Sequence, residues 1–136
     1  MKDPVTVHNT EIFEWYDGLV LGLVHAGGLV AFAFLVAFDP DARKRLTCLV
    51  PVSETQADEL KALFKNKGPE VLSHQVCSEL LSKTSRRLLT TDSLEDGKSI
   101  ELREATDTEI TQIPVPAFPM IEKAVGHGTI SLWFTN

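Results

Sequence analysis

Basic residues, cysteines and histidines are scarce in this chain, and each scarcity narrows what it can do. Thirteen Lys and Arg stand against nineteen Asp and Glu, a formal net charge of −6. A nucleic-acid surface needs a basic face that displaces counterions from phosphates. The longest basic run, Arg43-Lys44-Arg45, follows Asp39 and Asp41 and reads as a solvated turn. Nucleic acid is therefore not an expected partner. The two cysteines, Cys48 and Cys77, lie 29 residues apart, with no second Cys or His at ligand spacing. They predict two buried, reduced thiols in a cytoplasmic protein. Among the four histidines none stands at i, i+4 from another, so no metal site is expected. Catalytic signatures are missing as well. There is no Gly-x-Ser-x-Gly elbow, and Gly22 to Gly28 lacks the Gly-Lys-Ser/Thr ending of a phosphate loop. No catalytic residue, cofactor or metal is expected. The start, Met1-Lys2-Asp3-Pro4, has neither the basic opening nor the apolar run of a signal peptide.

What is present is a long apolar stretch. Of the twenty-one residues from Gly18 to Phe38 only His25 is polar, a length that a membrane-spanning helix would need. Acidic residues before it and Arg43-Lys44-Arg45 after it also suit the positive-inside rule. Three features favour a sheet over the span. Gly27-Gly28 is a hairpin signal that divides the stretch into two strand-length runs. Leu29, Ala31, Ala33, Leu35 and Ala37 alternate with Val30, Phe32, Phe34, Val36 and Phe38, the two-residue period of a strand packed on both faces. Leu46 to Val52 then supplies the next strand of a meander.

At 136 residues the length fits one domain, 1–136, large enough to bury a core without staples. Ile12 to Tyr16 is expected as a short opening strand, and Asp17-Gly18 as the turn into the second. Ser53-Glu54-Thr55-Gln56 matches a capping box, and Ala57, Leu60, Leu63 and Phe64 recur at helical spacing after it. Gly68-Pro69 stops that helix. A second, from about 70 to 83, presents Leu72, Val76, Cys77, Leu80 and Leu81 to the core. Arg87 to Thr91 and Ser99 to Arg103 flank Asp96-Gly97 as a hairpin. Residues 113–119 are proline-bound and extended, a short helix follows to about 125, and Thr129 to Phe134 closes the chain as a strand. The expected class is α+β: a mainly antiparallel sheet (a meander over 12–52, the later hairpin and a C-terminal strand) with two central helices packed on it.

Candidate functional residues are few. Trp15 and Tyr16 are adjacent at a strand end, so one faces outward if the other is buried, and such aromatics are enriched in interaction hot spots. Pro114, Pro116 and Phe118 belong to an extended segment of the kind that docks on partners. His25 reads as an exposed turn residue, His74 as a surface residue of the second helix, His127 as part of a glycine turn, and His8 as part of an unstructured start. Glu95-Asp96 reads as a solvated loop.

Trp15-Tyr16-Asp17-Gly18, two apolar strands, Val50-Pro51-Val52-Ser53-Glu54 opening a helix and a late Ile113-Pro114 together resemble small bacterial α+β domains of unknown function. The resemblance covers about 12–121, and departs from the pattern at Ala117-Phe118-Pro119, where Leu-Pro would stand. It implies the fold and adds no catalytic or binding residue. The functional expectation is a small bacterial interaction or accessory module that binds another protein, or a second copy of itself. A small enzyme with a fold-assembled polar site is the alternative from another class, and a homo-oligomeric structural domain is a third.

Overall fold

The stretch from Gly18 to Phe38 folds as a hairpin. In the computed structural model, which describes residues 4–15, 18–39, 44–83 and 86–112, it forms β2 (Leu19–Ala26) and β3 (Leu29–Asp39). Gly27 and Gly28 have φ of 58° and 83°, the paired positive values of a type I′ turn, whose twist matches that of the strands it joins. Among the described residues no helix is long and apolar enough to cross a membrane.

β1 (Val5–Trp15) precedes this hairpin and β4 (Lys44–Pro51) follows it, so the meander runs β1-β2-β3-β4 with every pairing antiparallel. β1 begins well before the expected Ile12, and His8 lies in a strand and not in an unstructured start. The polar look of Val5–Thr10 conceals a strand because few of its side chains are apolar; Val7 is fully buried and Val5 packs beside the inner cluster. Lys44 and Arg45 likewise belong to β4, and Arg45 Nη1 donates to the Leu19 carbonyl at 3.1 Å.

β5 (Leu88–Thr90) pairs with β4, while β6 (Ser99–Ile100) and β7 (Arg103–Glu104) are two-residue strands. The expected hairpin of 87–91 with 99–103 is redistributed. Leu89 does pair with Arg103, but Ser99 and Ile100 pair with Thr6 and Val5 of β1, at the opposite edge. The sheet order is β6-β1-β2-β3-β4-β5-β7. In a flat sheet β6 and β7 would be six strand spacings apart, about 29 Å. The chain from Ile100 to Arg103 can bridge only about 11 Å even when extended. The sheet therefore curls until its two edges nearly meet, and residues 99–104 close the gap.

Curling gives the sheet two buried faces. The inner one gathers Val7, Leu19, Val24, Ala26, Ala31, Ala33, Leu49 and Leu88 under Leu94, Ile100 and Leu102; its alanines suit the tight interior. The outer face carries Phe13, Leu21, Leu23, Phe32, Phe34, Cys48 and Val50 and is covered by helices. The alternation along β3 holds as far as Phe34. A bulge between Leu35 and Ala37 then turns both of these residues to the outer, helix-covered cluster, against the simple two-residue expectation.

α1 (Glu54–Lys67) opens on the expected capping box. Gln56 N donates to Ser53 Oγ at 3.1 Å, and Ser53 N donates to Gln56 Oε1 at 2.8 Å, an arrangement that contributes about 1 kcal/mol. Ala57 and Leu60 are buried, with Leu63 and Phe64 packed beside them. The second helix comes in three parts: α2 (Pro69–Val71), a π-helical turn (Leu72–Val76) and α3 (Cys77–Lys83). Cys77 N bonds to the Leu72 carbonyl, and this wider turn lets Leu72 and Cys77, five residues apart, both enter the core.

A further helix absent from the sequence expectation, α4 (Asp107–Gln112), follows β7. Thr106 and Glu109 form a second capping box, with Thr106 N donating to Glu109 Oε1 at 2.9 Å and Glu109 N to Thr106 Oγ1 at 3.1 Å. Arg103 grips the same carboxylate with Nη1 at 2.8 Å and Nη2 at 2.5 Å. Its hydrogen bonds hold the Glu109 carboxyl at about 2, below the ordinary 4.5. A carboxyl with a lowered folded pKa stabilises above its unfolded value and loses that contribution as the pH falls. Arg103→Met is therefore expected to cost about 0.5–1 kcal/mol at pH 7, the scale of a partly exposed pair. Urea titrations should show the gap from the parent closing between about pH 4.5 and 2; a gap that ignores pH would contradict the pairing.

The C-terminal expectations, namely the extended 113–119, the short helix and the last strand, lie outside the described residues.

Candidate interaction surface

β1 is paired unequally on its two sides. Its inner edge follows β2 from Val7 to Trp15. On the outer edge β6 reaches only Val5 and Thr6. The loop before β6 extends that cover a little: Val7 N donates to the Lys98 carbonyl at 2.9 Å, and Gly97 N to the Val7 carbonyl at 2.7 Å. Asn9 N then donates to Asp96 Oδ1 at 2.9 Å, and Asn9 Nδ2 to the Leu94 carbonyl at 3.1 Å. Beyond Asn9, no strand among the described residues lies on the outer edge.

Large apolar side chains are exposed on this same stretch. Ile12 is 47% and Trp15 52% accessible, the large hydrophobics that the described core leaves outside. Their exposure follows from local geometry. Phe13 between them is buried, its ring 4.8 Å from that of Phe64 and 6.5 Å from that of Phe32, which pins β1 to the helix side. Register shifts between Asn9 and Glu11, Ile12 and Glu14, and Glu14 and Trp15 then re-aim the flanking residues. A small cavity of about 80 Å³ opens beside Trp15, between Leu19, Arg45, Thr47 and Leu94. Glu14 is half-buried, and this desolvation raises its carboxyl above the ordinary carboxylate range. Glu11 is also on this stretch, so the edge combines apolar contact with negative charge.

Of the sequence candidates, Trp15 is exposed. Tyr16, Pro114, Pro116 and Phe118 lie outside the described residues, as does His127. His74 falls in the π-helical turn. His25 is exposed as expected, although it belongs to β2 and not to the turn, and it stands directly opposite His8. In the sequence Ile12 marks only the beginning of a strand, since a single isoleucine carries no sign of exposure.

A larger cleft, about 480 Å³, lies at the β5–β7 edge among Leu46, Leu89, Thr90, Asp92, Glu101 and Arg103. Its polar groups serve the fold. Asp92 Oδ2 accepts from Thr90 Oγ1 at 3.3 Å and from Glu101 N at 2.9 Å, while Arg103 is engaged with Glu109. Both cysteines are buried in the outer cluster, and burial pushes the Cys48 thiol up to about 12 and raises that of Cys77 as well, so neither is a ready nucleophile. Among the described residues no group of three or more His, Cys, Asp or Glu side chains is gathered to hold a metal ion.

No protein-family model, curated protein or solved structure matches the chain. The geometry of the outer β1 edge therefore carries the functional argument by itself.

Proposed function

We propose that this chain is a small interaction or accessory module that binds another protein by taking an extended segment onto the outer edge of β1. The observation that carries this reading is the coincidence of Ile12 and Trp15, both exposed, with the part of β1 that no described strand covers. Edge strands recognise extended peptides through main-chain hydrogen bonds, with side-chain contacts giving specificity. Trp15 supplies the aromatic anchor, and the cavity beside it, lined by Leu19 and Leu94 together with Arg45, Asp92 and Glu95, a recess for one small side chain. Glu11 and Glu14 favour a segment that alternates apolar and basic residues. The same two carboxylates disfavour a second copy of the chain, because antiparallel self-pairing would set like charges near one another. A bacterial source and a cytoplasmic location are part of the proposal. The first rests on the sequence resemblance and the second on the reduced, buried cysteines.

Peptides selected from a random library on the immobilised chain provide the test. They should carry apolar residues interleaved with Lys or Arg. Trp15→Ala should weaken the best of them by at least ~30-fold, equivalent to about 2 kcal/mol for an anchor residue. Ile12→Lys should weaken it as well, through lost apolar contact and repulsion of the basic ligand. Peptides whose affinity ignores both substitutions would remove the β1 edge from consideration.

A further inference from the structure

The fold joins two histidines that the sequence keeps 17 residues apart: His8 of β1 and His25 of β2 are direct cross-strand partners. The geometry points to a surface site for a borderline divalent transition-metal ion, held by these two imidazoles with the Asp96 carboxylate beside them.

Val7 donates to Lys98 and accepts from Gly97, so its peptide groups point away from β2. Those of the next residue, His8, therefore point toward β2, which makes His8–His25 a hydrogen-bonded cross-strand pair with Cα atoms about 5.5 Å apart. Side chains of such a pair rise from the same face of the sheet and lie within reach of one another. Both are exposed, His8 by 63% of its side chain, so an ion can approach from solvent. With metal–nitrogen distances of about 2.0–2.1 Å, two imidazoles at this spacing can converge on one ion.

Asp96 adds negative charge beside the pair. Its Oδ1 is 3.8 Å from His8 Nδ1, an ion-pair distance and not a hydrogen bond, and is held by the 2.9 Å hydrogen bond from Asn9 N. Asp96 comes from the loop outside β1 and His25 from the strand inside it, so a cation bound by the two imidazoles sits close to this carboxylate. Two imidazoles suit Zn²⁺, Ni²⁺ or Cu²⁺, whereas Ca²⁺ and Mg²⁺ require oxygen ligands. Water completes the coordination, as only two protein ligands contribute. The ion is therefore exchangeable, unlike a structural zinc with four protein ligands.

The untagged, metal-free chain titrated with zinc chloride is the test, followed by calorimetry and by the imidazole signals in NMR. One ion per chain should bind, and the His8 and His25 ring signals should move together. His8→Ala and His25→Ala should each weaken binding at least ~10-fold, the lower end of what losing even an outer partner costs. Asp96→Asn should weaken it by a smaller factor, through loss of the neighbouring negative charge, and His74→Gln with His127→Gln should leave it unchanged. Because alanine is a poorer strand residue, His8→Gln and His25→Gln repeat the measurement, and amide spectra verify the fold. Absence of zinc binding, affinity that survives loss of His8 and His25, loss of affinity in the His74→Gln/His127→Gln chain, or one ion bridging two chains by light scattering would overturn the assignment.

Discussion

Phe32→Ala is expected to lower the unfolding free energy by about 3–5 kcal/mol, the cost of deleting a buried aromatic ring and leaving a cavity. Phe32 lies at the middle of the sheet, paired with Leu23 on one side and Val50 on the other. It is fully buried, and its ring lies 5.7 Å from that of Phe34 and 6.5 Å from that of Phe13. Its removal therefore loosens the contact by which Phe13 fixes β1 against the outer cluster. A domain has only about 5–15 kcal/mol of stability to lose, so the variant should be marginal at room temperature. Urea unfolding followed by tryptophan fluorescence checks this. A loss below about 1 kcal/mol would mean that the outer cluster is not where the fold is held.

Gly22→Ala is expected to cost about 1–3 kcal/mol for a different reason, the overpacking of a site that has no room. A Cβ at Gly22 would stand 2.6 Å from the Glu11 carbonyl oxygen and 3.0 Å from Leu19 Cδ1. The first neighbour is backbone and cannot rotate away, so β1 itself must move. In an open strand the same change would stabilise by about 0.5–1 kcal/mol, since glycine is the poorer strand residue. The sign of the effect is thus diagnostic. Gly22 is the cross-strand partner of Ile12, within the irregular part of β1. Displacing β1 there should weaken peptide binding together with stability. A neutral or stabilising Gly22→Ala would show that the two strands are not in this close contact.

Sequence reading succeeded where a residue's role is local or periodic. Gly27-Gly28 marks a type I′ turn, Ser53 and Gln56 a capping box, and the size alternation of β3 a strand with two buried faces; each follows from one element's own chemistry. It failed where distant segments decide. Nothing near Ser99 says that it leaves Leu88–Thr90 for the far edge of the sheet, because that pairing exists only once the sheet has curled. The bulge at Leu35–Ala37 depends in the same way on the register of β4. His8 could not be matched to His25 without knowing that β1 starts at Val5. One further local signal is legible in the sequence: Thr106-Asp107-Thr108-Glu109 repeats the capping-box pattern of Ser53–Gln56, and it opens α4. Of the candidate surface, Trp15 is legible only as one of two adjacent aromatics at a strand end, with no sign of which faces outward. Ile12 is not legible, because its exposure comes from the register shifts of β1.

Amide hydrogen exchange on the chain, alone and saturated with a selected peptide, tests the central claim most directly. If the outer edge of β1 is the recognition surface, the amides of Glu11 to Trp15 slow on binding, while those of Leu89, Thr90, Leu102 and Arg103 around the larger cleft do not change. Slowing confined to the cleft, with β1 exchanging as before, would contradict it.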